Sequence, residues 1–323
     1  MKIIMKNFYF LLMLGSCNSV CCTRNNIVIR PEYRNISFYE NKLNFTQLKD
    51  RISIASQNVI NYLHDMDKLD IYSSYELSNF EISIFDKCFE LLPESYKNIL
   101  LEKVIVIYFV KYLGYGGITN YVFDENDNLY MTLLFNSELL NRTMSEWLNY
   151  KENTYFSNVD DSNYLELIIN TEYPAFLYLL LHEASHIYDH YYQITPFVEP
   201  DLANEETIYL NDFVSEIWEN YWLPIEKYNY EQRDYLNAYS KKPSIDINNS
   251  IAIYNFLAAT PFISIYGSTI WAEDFAEIFS WLYLFYKFNT FYIVNVYLDN
   301  ELRYSFNPFN NALVLDRYQL LLE

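Results

Sequence analysis

The chain has 323 residues, a formal net charge of −20, 51% hydrophobic and 19% aromatic residues, and only 5 Gly and 9 Pro. That length and apolar content exclude a disordered protein and allow one large domain or two modest ones. The negative charge excludes a general nucleic-acid binder and suits cationic substrates, and the scarcity of Gly and Pro argues against an all-β fold built on tight turns. The expected class is α+β, predominantly helical.

In chain order, Lys2 and Lys6 precede an apolar stretch from Phe8 to Leu14 that runs into Gly15-Ser16-Cys17. Basic, then apolar, then small residues is the order of a secretory signal, assigned to residues 1–22. Leu14-Gly15-Ser16-Cys17 resembles a bacterial lipobox, with Cys17 as a lipidated N-terminus. The alternative is an ordinary signal peptide cut near Cys21 or Cys22. Both predict a secreted or extracytoplasmic protein, with membrane contact only through such an anchor. The 4 Cys form neither a zinc ribbon nor a disulfide framework.

Residues 23–100 read as a polar linker and then helices. Helical spacing runs from Leu43 to about Tyr75, carrying His64 as an ordinary surface or capping residue, and again from Tyr75 to Leu92, with a short helix over Glu94–Leu101. Residues 101–323 are assigned to a second, larger unit. Lys103–Val110 is β-branched and aromatic and reads as a strand, Gly114–Gly117 as a turn, Asn120–Asn128 as a strand end and polar loop, and Leu129–Phe135 as a second strand. A free edge on that second strand would hold an extended peptide. Glu138–Tyr150 is amphipathic, Lys151–Asn163 reads as a polar loop, and a buried helix is predicted from near Pro174 to about Tyr192. Glu199–Lys241 is acidic and aromatic, with helical spacing at Phe213, Ile217 and Trp218. Its Glu205, Glu206, Glu216 and Glu219 read as a solvated face. Ile251–Ala259 is a further buried helix, and the Asn, Pro and Gly that follow it argue against a membrane span.

The buried helix carries His182-Glu183-Ala184-Ser185-His186. On a helix, His182 and His186 are one turn apart and face the same way, so both imidazoles can hold one cation, with Glu183 within reach of a water on it. His190 shares that face, but three ligands from one helix seldom surround an ion well. A catalytic zinc needs a third protein ligand from elsewhere. Tyr266-Gly267, followed by Glu273-Asp274-Phe275-Ala276-Glu277, offers two carboxylates one turn apart on a second buried helix, one to ligate and one to orient an imidazole.

Together these motifs resemble the anthrax lethal factor and Pro-Pro endopeptidase family of zinc metallopeptidases. The family's H-E-F-G-H helix is similar to the first stretch. Its Tyr-Gly, with E-F-F-A-E beginning seven residues after the Tyr, is similar to the second. The resemblance covers about residues 100 to 290 and implies a zincin-like domain with a small sheet ahead of the helix. It further implies one Zn2+ held by His182, His186 and Glu273, Glu183 as general base, and Tyr266 as donor to the oxyanion. Asp189 and Glu277 are candidates to orient the ligand imidazoles. Glu273 lies 87 positions beyond His186, about twice the family's usual spacing. This makes residues 199–250 an insertion, expected to form a lid or specificity wall. The implied activity is a zinc endopeptidase acting on peptide or protein substrates. Two alternatives stay open: a non-catalytic zincin-fold surface lipoprotein, and a zinc hydrolase of another amide such as a cell-wall peptide.

Overall fold

The computed structural model describes residues 31–196 and 211–318. The signal segment with Cys17, and Glu205 and Glu206, lie outside them. The N-terminal half contains β1 (Ile52–Ser53), α1 (Gln57–Asp67), β2 (Ser73–Tyr75), α2 (Asn79–Glu90) and α3 (Glu94–Lys103), then β3 (Val104–Lys111), β4 (Gly117–Phe123) and β5 (Leu129–Asn136). After these come α4 (Met144–Asn153), β6 (Phe156–Ser157), β7 (Tyr164–Ile169) and α5 (Ala175–Tyr192). The chain continues through β8 (Ile245–Asp246), α6 (Ser250–Leu257), α7 (Trp271–Phe288), β9 (Tyr292–Leu298), β10 (Glu301–Phe306) and α8 (Ala312–Leu315). The class is mixed α and β, as expected.

Local chemistry explains the helix starts. Ser78 with Glu81 opens α2, and Thr143 with Glu146 opens α4, each as a reciprocal capping box. Pro174 precedes α5, whose first free N–H finds the Arg142 carbonyl at 2.8 Å. Helices α1, α5 and α7 end on left-handed Lys68, Gln193 and Asn289. The predicted helix over residues 43–75 is shorter than expected. A 3-10 turn and β1 occupy its first part, and α1 begins only after the Ser56 cap.

The main sheet has the order β1-β3-β5-β4, with β2 also pairing β3. Strands β3 and β5 are parallel, and β4 runs antiparallel to β5. Both predicted strands are therefore present, but the second is interior. The outer edge belongs to β4, in a stretch expected to start as a turn; its far end is covered, with Asn35 bridging Phe123 and Arg34 donating to the Tyr121 carbonyl, which leaves the end near Gly117 as the open part. No described glycine has positive φ; Tyr112 makes the left-handed step instead. Gly116 and Gly117 serve close approach. A Cβ on Gly116 would stand 2.5 Å from Leu179 Cδ1, and one on Gly117 2.6 Å from Glu183 Oε1. The N-terminal residues are joined to this sheet through β1 and β2.

A second, antiparallel sheet, β10-β9-β7, was not expected. Its hairpin turns on Asp299 and Asn300, both at positive φ, as a two-residue mirror-image turn requires. The acidic stretch also differs. Residues 211–249 hold 3-10 turns and the two-residue β8 rather than an α-helix, although Phe213, Ile217 and Trp218 are buried and Glu216 and Glu219 exposed as expected. Helices α5 and α7 pack on each other in one large apolar cluster that also takes in Phe213, Trp218 and Tyr221. Among the described residues no helix is long and apolar enough to cross a membrane.

Candidate metal centre

The middle of α5 is so apolar that its polar residues are carried into the core: His182, Glu183 and His186 are each about one-twentieth exposed or less. Ser185, on the same helix, is fully buried, back-bonds to the Leu181 carbonyl at 2.7 Å and accepts the Tyr96 hydroxyl at 3.2 Å. Glu273 sits in the first turn of α7, where the helix dipole favours a carboxylate.

The two helices bring three donor atoms together. His182 Nε2 is 3.2 Å from His186 Nε2, and Glu273 Oε2 is 3.0 Å from the first and 3.6 Å from the second. Three ligands of a tetrahedral zinc, each about 2.0–2.1 Å from the ion, stand about 3.3–3.4 Å apart. Glu273 Oε2 is buried without a hydrogen-bond partner, an orphan that a shared cation would satisfy. His182, His186 and Glu273 thus form a buried group that could hold a metal ion.

Around it, Glu277 Oε1 lies 3.3 Å from His182 Nδ1, near enough to orient a ligand imidazole although the two are not aligned as a hydrogen bond. Glu277 also accepts from the Tyr178 hydroxyl, and from Ser264 Oγ at 2.5 Å. Asp189 does not match its expected place. Its oxygens accept from the Thr195 backbone N–H and hydroxyl, both at 2.6 Å, closing the chain after α5, and His186 Nδ1 has no hydrogen-bond partner. Its position three residues past His186 put it near that ring, but the left-handed Gln193 folds Thr195 back onto it first. His190 is not part of the group and contacts Gln193.

Glu183 projects towards β4, where Thr119 Oγ1 donates to its Oε2 at 2.7 Å. Burial raises the Glu183 pKa, against the lowering pull of His182, His186 and Thr119. A carboxyl raised in this way is the better proton acceptor. Burial disfavours a charged His182, but Glu273 and Glu277 overcome it and push the pKa up to about 10. Burial likewise opposes ionisation of Glu277, yet Lys151 and His182 hold it down at about 2. Tyr266 has its ring 5.8 Å from that of His182, and burial, reinforced by Glu273, raises its phenol well above the usual value.

These groups line one cleft, closed on one side by Gly116 and the start of β4 at Gly117 and on the other by Tyr239, Tyr266 and Lys151. Sequence reasoning missed Thr119, Gly117, Tyr239 and Lys151. Lys151 was expected in a polar loop, but it is in the last turn of α4 and buried. Asp274, beside Glu273, points the other way into a full set of partners. Arg317 Nη1 and Nη2 donate to its two oxygens at 2.6 and 2.9 Å, and Trp218 Nε1 donates at 2.8 Å. Compared with protein families, with curated proteins and with solved structures, the chain matches none.

Proposed function

We propose that the protein is a zinc-dependent endopeptidase. The observation that carries this is the convergence of His182, His186 and Glu273 within ion-binding distance, beside a buried Glu183 and the Gly117–Thr119 end of β4. Its motifs resemble those of the lethal factor and Pro-Pro endopeptidase family. His182, His186 and Glu273 would hold the ion, whose contribution is positive charge that acidifies a water and polarises a carbonyl. The edge of β4 near Gly117 offers backbone N–H and C=O groups to an extended peptide. Glu183 takes the proton of the attacking water and passes it to the leaving amine. Thr119 holds the acceptor oxygen of Glu183 in place. Tyr266, kept protonated by its burial, donates to the oxygen on the carbon under attack. A structural metal site has no use for Glu183, which argues against a purely binding role. Export, with or without lipid attachment at Cys17, belongs to the same proposal.

The test is to purify the full chain, measure bound zinc, and digest an unbiased peptide library with the wild type and with Glu183→Gln. Bound zinc in both, with cleavage lost by about 10²–10⁴-fold in the variant, is the expected result. Full cleavage by a zinc-loaded Glu183→Gln would overturn the mechanism. Cleavage confined to non-peptide amides would favour the other hydrolase.

A further inference from the structure

Lys151 is the buried cation of the cleft wall. It is 5% exposed, and a buried ammonium is costly unless it has partners. Two of its neighbours belong to the proposed machinery. Its Nζ lies 4.0 Å from the centroid of the Tyr266 ring and 3.5 Å from Glu277 Oε1. Glu277 Oε1 is in turn 3.3 Å from His182 Nδ1. Tyr266 stands in a 3-10 turn ahead of α7, whereas Glu277 is inside α7 and Lys151 comes from α4. One ammonium therefore ties three separately built elements together at the atoms nearest the metal group.

We infer that Lys151 is a positioning residue, which holds the Tyr266 ring through its face and the Glu277 carboxylate against His182. The inference rests on the hydrolytic reading for the role of Tyr266, and on geometry alone for the link to His182. The attraction of a cation to an aromatic face is directional enough to fix a ring whose own side chain has two free torsions. Fixing it matters, since a misplacement of about 1 Å can cost about 10²-fold in rate. A lysine that served only to neutralise Glu277 in the core would change stability without acting through Tyr266. The two roles separate in a double-mutant comparison.

The experiment uses the zinc-loaded full chain and a peptide selected by library digestion. Lys151→Met keeps the length of the side chain and removes its charge. It is expected to lower kcat by about 10–100-fold with KM within about 3-fold, and Lys151→Arg to stay within about 5-fold of the wild type. In a Tyr266→Phe background, Lys151→Met should cost no more than about 2-fold further, because its effect passes through the hydroxyl already removed. An unchanged kcat in Lys151→Met, or losses that multiply in the double variant, overturns the inference.

An arm independent of activity uses protein labelled with nitrogen-15 in its 4 histidines. The ring signals of His182 should move in Lys151→Met while those of His64, partly buried on α1 against Tyr72 and Asp70, stay. Unmoved His182 signals overturn the link through Glu277. If the wild type cleaves nothing in the library, the hydrolytic reading falls, and this arm still decides the positioning of His182. Should Lys151→Met fail to fold by circular dichroism, Lys151→Gln takes its place in both arms.

Discussion

On one side of the cleft, β4 is held by an unbroken ladder to β5 from Gly117 to Phe123. On the other, Tyr239 and Tyr266 stand on chain with almost no regular structure. That second wall is fixed by individual side chains. Arg233 donates to the carbonyls of Ser268 and Thr269, Tyr230 pairs with Ser268, Trp147 donates to Tyr239, and Asp274 joins Trp218 to Arg317. A ladder spreads its strength over many equivalent bonds and tolerates most side chains. A wall of single contacts concentrates its strength, so one substitution can loosen it.

The largest effect should come from the most concentrated contact. Arg317→Met leaves a buried Asp274 without its charge partner and is expected to destabilise the protein by about 3–5 kcal/mol in a denaturant titration. A loss under about 1 kcal/mol would mean that the second wall does not depend on this clamp. Next, Tyr266→Phe should lower peptide hydrolysis by about 10²–10³-fold with zinc content unchanged. The ladder side has one sensitive point. Gly117→Ala sets a methyl 2.6 Å from Glu183 Oε1, and because β4 cannot retreat from β5 the carboxylate must. About a 10-fold loss of kcat is expected, with a stability loss of about 1–3 kcal/mol. An unchanged rate would show that this wall yields after all. Smallest is Tyr239→Phe, which removes the acceptor of the Trp147 indole N–H and should cost about 1 kcal/mol in thermal or denaturant unfolding.

The contrast also marks what could be read beforehand. The helix over Ala175–Tyr192 was legible because its apolar run, its Pro start and its paired histidines all follow helical spacing. Glu273 and Glu277 were legible as one helical face, but bringing them to the histidines across 87 residues took a likeness to known proteins rather than any local rule. The outer edge at β4 was not legible. Glycines in Gly114–Gly117 suggest a turn, and their need to admit Leu179 and Glu183 exists only once α5 lies against the strand. Lys151 was hidden for a similar reason, since a lysine near a predicted helix end is ordinarily solvated and only the third dimension supplies Tyr266 and Glu277. The β7-β9-β10 sheet was missed because its outer faces carry Tyr, Leu and Ile as well as polar residues, which blurs the alternation.

The clamp on Asp274 has a consequence in time. Arg317 follows Asp274 by 43 residues, so during synthesis α7 is made well before the guanidinium that seats its first turn. Until then Asp274 has only the Trp218 indole N–H as a partner at a site that burial would penalise, and the first turn of α7, which carries Glu273, lacks its clamp. The histidines are ready early, and the third arm of the site is set late. A nascent chain therefore has its two histidines before Glu273 is seated, and the group that could hold a metal ion is completed only after Arg317 has been made.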